Sequence, residues 1–272
     1  LIKTLYKTLK NSATARTHML NSEWERLFKL GHEDKSKQKT IEERGIALSE
    51  VIGKDSLPIA DQYKVLFSIQ TAYAIIIKLI AYRVISDIVF RSPLQSFKSL
   101  AKSNSTDLRI FFSDFEDGAT FREVGIDNLL EGDFFAWYCA KEQWNKELYS
   151  VLTETISRLA NYEDKQDIFN KSNVNDLFRE FYLKIMPSIV RYSLGEFYTP
   201  KWLSQHVLEN SINGRKKWKG LDPCAGSGTF VIAMIEQILK EDKGMKKEDI
   251  FFDILNRVKA IDLNPLAVLT AR

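Results

Sequence analysis

Of its 272 residues only two are cysteine, Cys139 and Cys224, far apart and neither part of a Cys-x-x-Cys pair. That excludes a disulfide framework and a cysteine zinc site, and it fits a reducing cytoplasm. Charge of one sign is scarce too. Thirty-nine lysines and arginines face 36 acids, a formal net charge of +3, so any basic surface has to come from local clustering. No basic-then-apolar leader opens the chain. It starts at Leu1 and runs to Thr270-Ala271-Arg272 inside a helical pattern, and is expected to be a piece of a longer protein. The six prolines, at 58, 93, 187, 200, 223 and 265, all stand alone.

What is present suffices for a core in about two domains, at ~150 residues each. Residues 1–50 are helix-prone, with Leu20, Trp24, Leu27 and Phe28 spaced for one face. Lys35, Lys37 and Lys39 read as a solvated linker, a phosphate contact being the other reading. From Ile59 to Phe90 the chain is strongly apolar, but Gln70, Lys78 and Arg83 interrupt it. A charge at a bilayer centre costs ~2.5–3.5 kcal/mol, so the run reads as a buried core helix rather than a membrane span. Residues 91–107, around Pro93, read as a loop. Asp114, Glu116 and Asp117 with Gly118 read as a solvated turn, not a metal site, because no histidine or fourth acid lies at ligand spacing. Phe134, Phe135, Trp137 and Tyr138 are expected to anchor this loop to the helical core.

Trp144 to Tyr162 carries Leu148, Val151, Leu152, Ile156 and Leu159 at helical spacing. Polar residues 161–175 form a candidate hinge. Asp176 can cap a helix over Leu177 to Met186, which Pro187 ends. The Glu-x-Lys triplets at Glu33, Glu163 and Glu241 are of the kind that 28% charged residues produce by chance, and carry no nuclease reading.

At Gly195-Glu196-Phe197-Tyr198-Thr199-Pro200 a helix is expected to begin, with Thr199 as cap and Pro200 at its first position. One helix later comes Leu221-Asp222-Pro223-Cys224-Ala225-Gly226-Ser227-Gly228-Thr229-Phe230. An acid and two glycines ahead of an apolar helix let backbone N–H groups approach a polar ligand. Val258 to Leu263 then reads as a short buried strand, ending in Asp262, with a helix starting at Asn264-Pro265. Strand, glycine turn, helix and second strand with an acid at its end is a nucleotide-type layout on a parallel sheet. The second acid usually follows the first by ~20 residues; here it comes 262 − 222 = 40 positions later, which predicts an additional helix and charged loop.

From Asp176 onward the sequence resembles adenine-specific DNA methyltransferases of restriction-modification systems, near the fused type IIG enzymes and the type I modification subunits. Gly195 to Pro200 matches the family's motif X, Asp222 to Phe230 its motif I, and Ile261 to Ala267 its motif II. The resemblance implies S-adenosylmethionine as cofactor. It would be held by Asp222, Gly226 and Gly228 at its methionine end and by Asp262 at the ribose, with Tyr198, Thr199 and Pro200 closing the methionine side. Pro223, Ala225, Thr229, Phe230 and Leu263 complete the implied set, Leu263 and Leu266 being either adenine walls or core. The implied fold class is α plus α/β: a mostly helical domain, 1–175, then the first part of a Rossmann-like methyltransferase domain, 176–272.

In that family an Asn or Asp followed by Pro-Pro and Tyr or Phe grips the flipped adenine. With no Pro-Pro pair here, no catalytic residue can be assigned, and the chain alone is expected to be inactive. The implied partners are double-stranded DNA and either a specificity subunit or a fused recognition domain, with no membrane and in the cytoplasm. Two other readings stand beside this one: an RNA or protein methyltransferase of the same fold, and a helical spacer or DNA-contact module.

Overall fold

The computed structural model describes residues 1–32, 38–88, 94–127, 129, 134–162, 177–193, 199–241 and 244–271. Lys35 and Lys37, most of the expected hinge over 161–175, Asp176, and Gly195 to Tyr198 lie outside them, as does the expected boundary at 175/176. The chain separates into two compact units, Leu1–Glu196 and Phe197–Arg272.

The first unit is helical. It contains α1 (Ile2–Asn11), α2 (Ala15–His32), α3 (Gln38–Ile52), α4 (Ile59–Ile88), α5 (Phe97–Leu100), α6 (Ser105–Glu116), α7 (Ala119–Arg122), a 3-10 turn (Ala136–Cys139), α8 (Lys146–Ala160), α9 (Leu177–Ile185) and α10 (Ser188–Ser193). Helix α4 is the axis, with α1, α2, α3 and α9 packed against it. By length and composition it could cross a membrane, but 83% of its most apolar stretch is buried inside the fold. Trp24 and Phe28 of α2 are buried, and the Trp24 ring stacks on Phe28 and tilts over Phe67.

The charge inside this helix is neutralised within the fold. Lys78 is fully buried and ion-paired to buried Glu116, whose other oxygen accepts the Tyr138 hydroxyl at 2.7 Å. Burial and the Glu116 carboxylate push the Tyr138 phenol well above its usual range, and they push the neighbouring Cys139 thiol up to about 12. Cys139 is thereby an inert core residue.

Two sequence expectations need correction here. The described part of 91–107, residues 94–107, is not one loop, because Ser96 and Asn104 act as helix caps. Ser96 accepts from the Ser99 N–H to start α5, and Asn104 accepts from the Thr106 and Asp107 N–H groups to start α6. Polar residues that suggest a loop are also those that cap helices. Nor do Asp114 and Glu116 lie in a turn: both are helical, and of the three acids only Asp117, the C-cap of α6, belongs to the turn. Leu108, Phe112 and Phe115 line the buried face of α6, and the turn comes at Gly118, with φ of 76°. The three acids diverge: Asp114 is exposed, Glu116 is buried on Lys78, and Asp117 pairs with Arg122. Among the described residues no metal-ligand cluster forms.

The second unit holds α11 (Lys201–Ile212), β1 (Gly220–Asp222), α12 (Thr229–Glu241), α13 (Lys247–Arg257), β2 (Val258–Ala260) and α14 (Pro265–Ala271). The two strands pair in parallel, Gly220 opposite Val258 and Asp222 opposite Ala260. The additional helix expected between the acids is α13. Helix α12 packs on both strands, on α11 and on α13. Gly220 makes room for this approach: a Cβ there would lie 2.1 Å from Met234 Sδ on α12, so the methionine side chain would have to shift. The opposite face of the sheet is open: Leu221 is 62% and Ile261 60% exposed. Val258 to Leu263 is therefore not the buried strand expected from its apolar run.

Candidate functional site

Two backbone contacts prolong the pairing of β1 and β2 beyond the strands and set the glycine loop against the end of β2, and a third closes a turn within the loop. The Ile261 N–H donates to Asp222 O at 2.9 Å, the Ala225 N–H to Ile261 O at 3.0 Å, and the Gly228 N–H to Ala225 O at 2.8 Å. The loop thus sits at the carboxyl ends of two parallel strands, where open α/β sheets bind ligands. Gly226 and Gly228 have φ of 52° and 84°, a region L side chains rarely adopt. Their surroundings differ. A Cβ on Gly228 would lie 3.4 Å from Ala271 of α14, whereas one on Gly226 would point into open space.

Both acids of the expected site converge on this loop. Asp262 Oδ2 accepts from the Gly226 N–H and Oδ1 from the Asn264 N–H, each at 2.8 Å. Asp222 is buried, 8% exposed. Its Oδ1 accepts from the Cys224 N–H at 3.1 Å, while Oδ2 is buried without a hydrogen-bond partner. Leaving a buried acceptor unsatisfied costs about 1–3 kcal/mol, more for a charged group. Such an orphan at a glycine loop leaves an acceptor that a ligand or a water carrying a donor can satisfy.

The remaining expected residues divide. Ala225 is buried in the loop, and Thr229 and Phe230 open α12. Pro223 is exposed and Leu263 is 63% exposed, while Leu266 is core at 3%. Asn264 accepts from the Leu266 N–H at 3.0 Å and so starts α14. Tyr198 lies outside the described residues. Pro200, not Thr199, is the capping residue of α11, and no side-chain cap forms. The expected start is therefore displaced by one residue. Among the described residues, Thr199 and Pro200 make no hydrogen bond to the loop. The first turn of α11 is instead tied to α12 by Lys201 and Glu236 at 2.7 Å.

A cavity of about 600 Å³ flanks the loop. Its walls include Val207 and Ile212 of α11 and Phe230 and Met234 of α12; it touches Asp222 and Pro223, and Arg215 to Lys219 rim it. One anchor of this region is not visible as a sequence motif. Arg257, 6% exposed, donates through Nε to Trp218 O at 3.0 Å, lies 4.3 Å from the Trp218 ring, and pairs with Glu241 at 2.8 Å and Asp253 at 2.9 Å. Trp218 Nε1 also donates to Glu241 at 3.0 Å. Burial alone would raise the Glu241 carboxyl, but the hydrogen bonds from Trp218, Arg257 and Gln237 outweigh it and hold it below its ordinary value.

With this geometry in place, comparison with known proteins adds one finding. Residues 173–261 match the family model of N-6 DNA methylases. The match runs from just before α9 through the glycine loop and stops one residue short of Asp262. It supports an adenine DNA methyltransferase family and a DNA methylation function of that kind. No curated protein and no solved structure matches the chain.

Proposed function

We propose that this chain carries the S-adenosylmethionine-binding part of a Rossmann-like methyltransferase that modifies the exocyclic amine of adenine in double-stranded DNA. The observation that carries the reading is the orphaned, buried Oδ2 of Asp222, placed at a positive-φ glycine loop beside Asp262. The residues fit that cofactor. Asp222 Oδ2 is a free acceptor suited to an ammonium, the open side of Gly226 leaves room for a ligand against the backbone, and Asp262 is an acceptor suited to ribose hydroxyls. When bound, the cofactor supplies an electrophilic methyl carbon on a sulfonium.

This chain's own residues bind and orient. Asp222 and Asp262 hold the two ends of the loop, and Gly226 keeps backbone close to the ligand. Gripping the adenine belongs to a Pro-Pro motif that this sequence does not contain. On the same reading the protein acts in the cytoplasm in a bacterial restriction-modification or phage-defence system, as a type IIG enzyme or type I modification subunit. A specificity subunit or fused recognition domain would choose the DNA sequence.

Isothermal calorimetry with S-adenosylmethionine and with its demethylated product tests the reading. Uptake by the unaltered chain, weakened at least tenfold in Asp222→Asn and Asp262→Ala, is the expected result. Equal binding by all three proteins, or none by any, would sink it.

A further inference from the structure

Arg215, Lys216, Lys217 and Lys219 are four cations within five residues, in a chain whose net charge is only +3. All four are exposed, and among the described residues none of them pairs with a carboxylate. The segment is nevertheless fixed. Asn213, Gly214 and Lys217 have φ of 46°, 72° and 59°. A lysine in the left-handed region is uncommon, and conformations of this kind persist only where the surroundings impose them. Here the imposing contacts come from Arg257, which clamps Trp218 by its carbonyl and its ring, and from Glu241, which accepts the indole N–H. The four cations also line one cavity, in which Asp222 is the single acid. Four cations against one acid leave the field of the cleft positive, which draws in an anion.

We propose that the loop 213–219 is a contact surface for the phosphate backbone of DNA. A duplex carries one negative charge per ~1.7 Å of axis, and five residues span at most ~17 Å, so the loop can meet several phosphates at once. DNA is preferred over RNA because the loop lies inside the stretch that matches N-6 DNA methylases. In this respect the inference rests on the function proposed above. The contact is sequence-independent: it adds affinity and orientation, and leaves base readout to other parts.

The test is fluorescence anisotropy of the whole chain with a labelled 30-base-pair duplex of mixed sequence, over a salt series. The variant has Arg215, Lys216, Lys217 and Lys219 all replaced by Gln, and the control has Lys246→Gln with Lys247→Gln at the start of α13. Each phosphate contact contributes about 0.9 to the slope of log affinity against log salt. The fourfold variant should therefore bind at least tenfold more weakly at low salt, with a slope smaller by up to about 3.6, while the control is unchanged. Should the fourfold variant fail to fold, Lys216→Gln and Lys219→Gln singly should each lower the slope by about 0.9. An unchanged affinity and slope overturns the proposal, as does an equal loss in the control or a clear preference for duplex RNA. Calorimetry with S-adenosylmethionine on the same samples separates the two readings. Cofactor binding with an unaffected DNA slope sinks the loop alone, whereas absent cofactor binding with a loop-dependent slope sinks only the methyltransferase reading.

Discussion

The Gly226 N–H donates to Asp262 Oδ2 at 2.8 Å, joining positions 36 residues apart through one carboxylate. The other oxygen of that carboxylate accepts from the Asn264 N–H. Asp262 is therefore a clasp between the glycine loop and the start of α14, in addition to the ribose role proposed for it. Asp262→Ala should free both N–H groups and cost about 1–3 kcal/mol locally. Hydrogen exchange is the direct measurement: protection of the Ala225 and Ile261 amides should fall roughly 5- to 100-fold, with the first unit unaffected.

Gly226→Ala separates strain from ligand contact. Its Cβ meets nothing within 4 Å, so the stability cost should be only the left-handed φ, about 1 kcal/mol. The loss of S-adenosylmethionine affinity should be larger, because the methyl group occupies the space the ligand needs. Denaturation and calorimetry on the same sample compare the two.

The Lys78–Glu116 pair predicts strong coupling inside the helical unit. Removing one partner leaves the other buried and uncompensated, and Lys78→Met or Glu116→Gln alone should cost about 3–5 kcal/mol. The double variant keeps an acceptor for the Tyr138 hydroxyl and should cost less than the sum. A double-mutant cycle in urea reads the difference, and strict additivity would show that the two charges do not interact.

Acid sensitivity of the first unit should centre on Asp61. Burial by itself raises this carboxyl, but hydrogen bonds from Lys10, Lys64 and Tyr6 take it from an ordinary 3.8 down to about 2. A depressed folded-state value stabilises the fold above the unfolded value, and the gain is lost as pH falls through about 2. The full contribution is roughly 2 kcal/mol, of which about half should be gone by pH 3. Unfolding free energies of the unaltered protein and Asp61→Asn should accordingly converge between pH 6 and pH 3.

Legibility of the fold followed the range of the interactions. Helix α4 was readable because a long apolar run with isolated polar breaks has few other ways to hide its surface. Helix α8 was readable because Leu148, Leu152 and Ile156 recur at helical spacing, and all three are buried. Helices α5 and α6 were misread because Ser96 and Asn104 look alike as loop residues and as caps, and only the geometry of the next turn distinguishes them. The glycine loop was visible in its residue types, but the partnership of Asp262 with Gly226 was not, since it depends on strand register across 36 positions. The basic loop is not singled out by any sequence motif, although its four cations are plain as residue types. What marks it out is the clamp from Arg257, a residue 39 positions from Trp218 with no motif of its own.

By itself the sequence determined the helices at α2, α4 and α8, the buried role of the long apolar helix, and the loop of small residues between a strand and a helix. These depend on periodicity and backbone freedom, which are local. Tertiary structure decided which charges are buried in pairs, which face of the sheet stays open, and which carboxylate oxygen is left unpartnered. Those outcomes depend on what packs against each residue across long separations, and Asp222 Oδ2 becomes a ligand candidate only once every neighbouring donor has been placed.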